Sequence, residues 1–264
     1  MLKRLIQFVL EITGYRVVPK DRYKQLLALE HYQPSEDALA EHLRRVISFY
    51  QVDCVFDVGA NNGWFRNWVR DKVGFDGLIV SFEPIAAQVR TLEKLAANDP
   101  LWIIRSCALG RREEVRDFHI MESDVFSSFL KPDPNQPSKY TDSNVLRDST
   151  PVQVSTVEVE WRKISAQHKV KRMHLKMDTQ GFDLEVFAGA EPVLESVITV
   201  QSELAFIHLY ENGADYRDAI HTYSAAGYRT SMLQPISYDE SLCMVEADGL
   251  FVREAQPPVP SEQV

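Results

Sequence analysis

The sequence predicts an α/β fold built on a mostly parallel, Rossmann-like sheet. Three observations predict it. Short apolar runs at residues 54–58, 78–82, 102–104, 173–177 and 197–204 have the texture of strands buried on both faces. Stretches with apolar residues at helical spacing separate most of them, an alternation that builds a parallel sheet covered by helices. Glycine follows the first run, as Asp57-Val58-Gly59, where such a sheet opens its ligand crevice.

The elements follow in order. Residues 1–50 read as a helical extension, with Leu39, Leu43, Val46, Ile47 and Tyr50 on one face. Its first twelve residues are basic, then apolar, and are interrupted by Gln7 and Glu11. That stretch is too short to span a membrane and lacks a cleavage site. A helix packed on the domain is the plain reading. A peripheral amphipathic helix, with Lys3 and Arg4 near lipid headgroups, is the alternative.

The main domain is expected at residues 51–254. Pro84 stops its second strand, and Ile85, Val89 and Leu92 mark the next helix. Residues 115–121 and 152–159 read as strands that break the alternation. Between them, residues 122–151 carry Pro132, Pro134 and Pro137 and read as an inserted loop, either a lid or a plain surface excursion. Later, Pro192 opens a short helical turn, and Gly227 ends the helix of Tyr216, Ala219 and Tyr223 as a left-handed cap. Residues 228–233 and 242–253 should pair antiparallel. Residues 255–264 are proline-rich and read as a disordered tail.

Composition narrows the function. The 264 residues are 45% apolar, enough for a sizeable core. A formal charge of −9 disfavours a nucleic-acid partner, which needs a basic face. Cys54, Cys107 and Cys243 are far apart and form no Cys-x-x-Cys pair, so a reducing, cytoplasmic compartment is expected. No Cys/His cluster predicts a metal site; a carboxylate-held magnesium at Asp178 and Glu203 is the alternative.

The sharpest chemical signal is Asp57-Val58-Gly59-Ala60-Asn61-Asn62-Gly63. A dinucleotide fingerprint would place glycines at 59, 61 and 64, where this chain has Gly59, Asn61 and Trp64. An acid followed by Gly-x-Asn-x-Gly instead suits the methionine part of S-adenosylmethionine. Its amine and sulfonium match a carboxylate, here Asp57, and no pyrophosphate must be cradled. Glu83, ending the second strand, is placed to accept from both ribose hydroxyls. The third strand ends at Arg105-Ser106-Cys107, where Ser106 or backbone groups could read the base. Asp178 ends the fourth parallel strand and either orients the reacting groups or caps the next helix. Glu203 and His208, past the fifth, are candidate bases for an acceptor hydroxyl, with rim or core roles as the alternative. Asp183 is expected in the first turn of a helix, where the dipole favours it.

These residues together resemble the FkbM family of methyltransferases. The matching segments are residues 57–63, Phe82-Glu83-Pro84, Ala108-Leu109-Gly110, Ser127-Ser128, residues 176–183 and Gly189-Ala190, with Glu203 after the fifth strand. The resemblance runs from about residue 52 to 252. It implies a class I methyltransferase fold with a seven-stranded sheet and an antiparallel C-terminal strand. It implies S-adenosylmethionine as cofactor, with Asp57, Gly59, Ala60, Asn61, Gly63, Glu83, Ser106, Ala108 and Ser128 around it. It implies O-methylation of a small-molecule or glycan hydroxyl. Two positions depart from the family pattern, Gln180 and Asp183, where glutamate is usual; Gln180 cannot act as a base. An inactive cofactor-binding module is the second reading, and a nicotinamide oxidoreductase the third.

Overall fold

Strand β1 (Cys54–Val58) is buried along its whole length because strands flank it on both sides and helices cover both faces. Its pleat divides the core. Cys54, Phe56 and Val58 pack on one side with Trp161 and Leu175. Val55 packs on the other with Leu43, Phe65 and Ile79.

The computed structural model describes residues 34–254. The chain from Leu39 onward forms one unit, and of the unit before it only residues 34–38 are described. The amphipathic helix considered for residues 1–12 and the tail at 255–264 lie outside the described residues.

Helix α1 (Pro34–Phe49) precedes β1. After β1 come α2 (Trp64–Trp68), which runs into a π-helical turn (Val69–Val73), then β2 (Leu78–Phe82), α3 (Ala86–Ala96) and β3 (Trp102–Arg105). An excursion of β4 (Ala108–Leu109), β5 (Glu114–Met121) and β6 (Leu146–Ser155) follows, then α4 (Val157–His168). The chain continues through β7 (Met173–Met177), α5 (Asp183–Ala188), β8 (Val197–Ala205), α6 (Tyr216–Ala225), β9 (Tyr228–Tyr238) and β10 (Met244–Arg253).

The main sheet has seven strands in the order β3-β2-β1-β7-β8-β10-β9. Its first five are parallel, and β10 pairs antiparallel with both β8 and β9. Both the parallel alternation and the antiparallel final pair agree with the fold class expected from the sequence. The smaller sheet, β4-β6-β5, stands apart.

Two local expectations need correction. Residues 157–159 are helical, not strand. The Thr156 hydroxyl accepts from the Val159 N–H and caps α4, whose buried face carries Val157, Trp161 and Ile164 at helical spacing. Residues 146–151, expected within a loop, belong to β6. That half of β6 is polar and largely exposed, so it offers no apolar alternation to read. Among the described residues, no helix is long and apolar enough to cross a membrane.

Candidate active site

β1 and β7 end side by side, with Val58 opposite Met177. The loops beyond them touch. Asp178 N–H donates to the Val58 carbonyl at 3.1 Å. A Cβ on Gly59 would lie 2.0 Å from the Asp178 carbonyl oxygen, and Gly59 has φ +80°. Both facts demand glycine there. The N–H groups of Gly59 and Ala60 donate to the Phe82 carbonyl, each at 3.1 Å, binding the loop to β2. Gly63, at φ +82°, closes the turn as the N-cap of α2.

A cavity of about 350 Å³ opens against this loop. Its wall includes Gly59, Ala60, Asn61, Glu83, Ala108, Asp178 and Glu203, all singled out from the sequence. The excursion supplies Asp124, Val125, Ser127 and Phe129. The size falls within the range of small-ligand pockets, roughly 300–1,000 Å³.

Glu83 is buried, with each carboxylate oxygen accepting one backbone N–H: Asn61 at 2.9 Å and Ile85 at 2.8 Å. Burial pushes its carboxyl up to about 7, although these two N–H groups pull the other way. Each oxygen keeps a second lone pair for a ligand hydroxyl.

Asp178 and Glu203 are joined through one amide. Gln180 Nε2 donates to Asp178 Oδ1 at 3.0 Å and to Glu203 Oε2 at 2.9 Å. The Tyr210 hydroxyl donates to Gln180 Oε1 at 2.8 Å, which fixes the amide with both N–H groups facing the carboxylates. The same hydroxyl stands 2.8 Å from the Phe126 carbonyl, and its single proton serves one acceptor at a time. Burial, then the negative charges of Glu246, Asp178, Asp248 and Asp183, hold the Glu203 carboxyl well above its ordinary value. The Asp178 side chain is 45% exposed, and the Lys176 ammonium lies 3.5 Å away.

Asp183 does begin α5, but its carboxylate does more than favour a helix dipole. It accepts from Thr179 N–H at 3.0 Å, the Ser202 hydroxyl at 2.7 Å and Glu203 N–H at 3.1 Å. It thereby ties the turn after β7 to the end of β8.

Five expected site residues sit off this wall. Gly63 closes the turn, and a Cβ there would meet Leu92 and Trp102 instead of the cavity. Asp57 does not face the cavity: it is fully buried, and its oxygens accept from Lys176 Nζ at 3.0 Å and the Ser81 hydroxyl at 2.9 Å. Ser106 is exposed and off the wall, in the turn between β3 and β4. Ser128 is buried and donates to the Gln180 carbonyl at 2.8 Å, so it shapes the wall from behind. His208 is exposed, on a separate chamber of about 30 Å³ behind Glu203.

Sequence reasoning gave Lys176 and Tyr210 no role in the site; the excursion was read as a lid or surface loop, with Asp124, Val125 and Phe129 not singled out. One signal was available for Lys176. A lysine in a strand buried on both faces needs a counter-charge, and Asp57 occupies the neighbouring register position. Among the described residues, no group of three or more His, Cys, Asp or Glu is arranged to hold a metal.

A parallel sheet with an antiparallel final pair, and a cavity at its carboxyl ends, defines the class I methyltransferase fold. A methyltransferase FkbM domain matches residues 57–230, and the chain belongs to the FkbM family of S-adenosylmethionine-dependent methyltransferases. Similar solved structures include methyltransferase FkbM from Methylobacillus flagellatus KT, at 13% identity and TM-score 0.47, covering 76% of this chain and 43% of that one. The chain thus spans less than half the length of that protein. A putative O-methyltransferase from Klebsiella pneumoniae matches at 8% identity and TM-score 0.43, over 83% of this chain and 87% of that one. Aeropyrum pernix fibrillarin, crystallised with S-adenosyl-L-methionine, matches at 11% identity and TM-score 0.41, over 83% and 76%. No curated protein matches the sequence.

Proposed function

We propose that the chain transfers a methyl group from S-adenosylmethionine to a hydroxyl of a sugar, glycan or similar secondary metabolite. One observation carries this reading: the bare Gly59 loop with Glu83, and the carboxyl groups of Asp178 and Glu203, line a single cavity. The wall suits the cofactor. Gly59 and Ala60 leave room for its amino-acid end, Glu83 has lone pairs for the ribose hydroxyls, and Ile85, Ala108 and Leu109 offer apolar surface to a base. The formal charge of −9 supports an acceptor other than nucleic acid.

When bound, the cofactor supplies an electrophilic methyl group. The protein's tasks are alignment, exclusion of water and removal of one proton. Phe118, Phe129 and Phe182 line the cavity and keep water out. Asp178 is the half-exposed carboxylate on the wall, and an acceptor hydroxyl gives up its proton to its Oδ atoms. Burial holds the Glu203 carboxyl above its ordinary range, and Gln180 Nε2 ties it to Asp178 as a hydrogen-bonding partner. Alignment supplies the larger share of the acceleration, and base help roughly 10²- to 10⁴-fold.

The test is incubation with methyl-labelled S-adenosylmethionine and a panel of hydroxylated sugars, glycans and metabolites. Label recovered as O-methyl groups supports the reading. Label found only on nitrogen or carbon acceptors would overturn the hydroxyl assignment. Cofactor binding without transfer to any acceptor would favour the inactive module.

A further inference from the structure

We infer that Lys176 binds the carboxylate of the cofactor's amino-acid end, with Asp57 as its counter-charge beneath the loop. This rests on the reading that S-adenosylmethionine occupies the cavity described above.

The charges point to Lys176 first. It is the one lysine, arginine or histidine among the described residues that line the cavity. S-adenosylmethionine carries one anionic group, its carboxylate, beside an ammonium and a sulfonium. A lone cation on the wall and a lone anion on the ligand are natural partners.

Most of the loop's backbone donors are committed. Backbone N–H groups at a tight turn commonly hold carboxylates. Here Gly59 and Ala60 donate to Phe82, Asn61 to Glu83, Gly63 to Ala60 and Trp64 to the Asn62 side chain. Five N–H groups of the turn are therefore committed within the protein.

Lys176 has capacity left. An ammonium has three donors. One reaches Asp57 Oδ1 at 3.0 Å, but Gly59 O and Asp178 Oδ2 lie at 3.4 and 3.5 Å, beyond the usual range. Asp57 has none to spare, since its other oxygen accepts from Ser81, itself held by Trp102 Nε1 at 2.9 Å. Burial works against the ammonium's charge, but Asp57 and then Asp178 more than offset it, so its pKa is raised overall.

Isothermal calorimetry on the full chain tests this with two probes: S-adenosylhomocysteine and its decarboxylated analogue, which lacks only the carboxylate. The wild-type chain should prefer the first. In Lys176→Gln, affinity for S-adenosylhomocysteine should fall roughly 10- to 100-fold, as expected for a lost charged hydrogen bond, while the analogue changes less than about threefold. Because Lys176→Gln leaves Asp57 buried without its partner, the double variant D57N/K176Q repeats the measurement with the pair neutralised. It should lose the same preference, and Asp57→Asn alone should keep it. Equal weakening of both probes, or a preference that survives in the double variant, would overturn the inference while leaving the cofactor reading intact. Binding of neither probe by the wild-type chain would overturn both.

Discussion

The Asp178 carbonyl oxygen stands 2.0 Å from the point a Cβ on Gly59 would occupy. The obstacle is backbone, so no side-chain rotation relieves it. Gly59→Ala should lower stability by about 2–4 kcal/mol, from left-handed strain and overpacking together. S-adenosylhomocysteine affinity should fall more than about 100-fold, a loss of over 2.7 kcal/mol in binding. Calorimetry paired with thermal unfolding reads both effects. Normal binding by this variant would show that the two loops need not touch.

Asp178 lies on the wall, whereas Asp57 and Asp183 are buried in internal hydrogen bonds. Asp178→Ala should therefore bind S-adenosylhomocysteine while transfer slows by roughly 10²- to 10⁴-fold once an acceptor is in hand. Near-normal turnover would reduce Asp178 to a structural role.

Gln180→Glu keeps the side-chain length but replaces two donors with acceptors, facing Asp178 and Glu203. The folded chain should lose about 1–3 kcal/mol at pH 8. Carboxyls crowded in this way have folded pKa values above their unfolded ones. Their stabilising contribution is present at low pH and lost as pH rises. Part of the loss should thus return at pH 5.5. Thermal unfolding at the two pH values decides; an equal deficit at both would mean the amide acts through packing alone.

Glu83 makes a parallel claim about the wild-type chain. Burial raises its carboxyl from 4.5 to about 7, so the folded state holds the proton more tightly than the unfolded one. Its contribution is fully present below pH 4.5 and is lost as pH climbs through 7. Glu246, raised to about 7, and Asp248, raised to about 6, act in the same direction. The melting temperature without ligand should fall between pH 5.5 and 8, and Glu83→Gln should show a shallower fall. An unchanged slope in that variant would remove Glu83 from the account.

The sheet was legible because its parallel strands are continuous apolar runs, and Gly59 and Glu83 because they end such runs. Helix α4 was hidden: Val152, Val154, Val157 and Val159 extend a strand-like pattern past the true end, and Thr156 is the local stop. The first half of β6 was hidden by its polarity. Within the site, Asp178 and Glu203 could be read from position along the chain. The pairing of Asp57 with Lys176 spans 119 residues and leaves no local trace beyond a charge in a buried strand. His208 could not be placed from position alone: it is exposed past the end of β8, while its neighbours Leu209 and Tyr210 are buried.

The two walls of the cavity have separate origins. Strand ends of the main sheet form one; the stretch between β5 and β6 forms much of the other, stitched down by the Ser128 hydroxyl on Gln180. Only the residues of the second wall that make no such tie can change without disturbing the first. Under the proposed function, substitution at the exposed Val125 would alter the acceptor's surroundings and leave Gly59 and Glu83 untouched, whereas Phe129 packs on Phe182 and Asp124 accepts from Gln88.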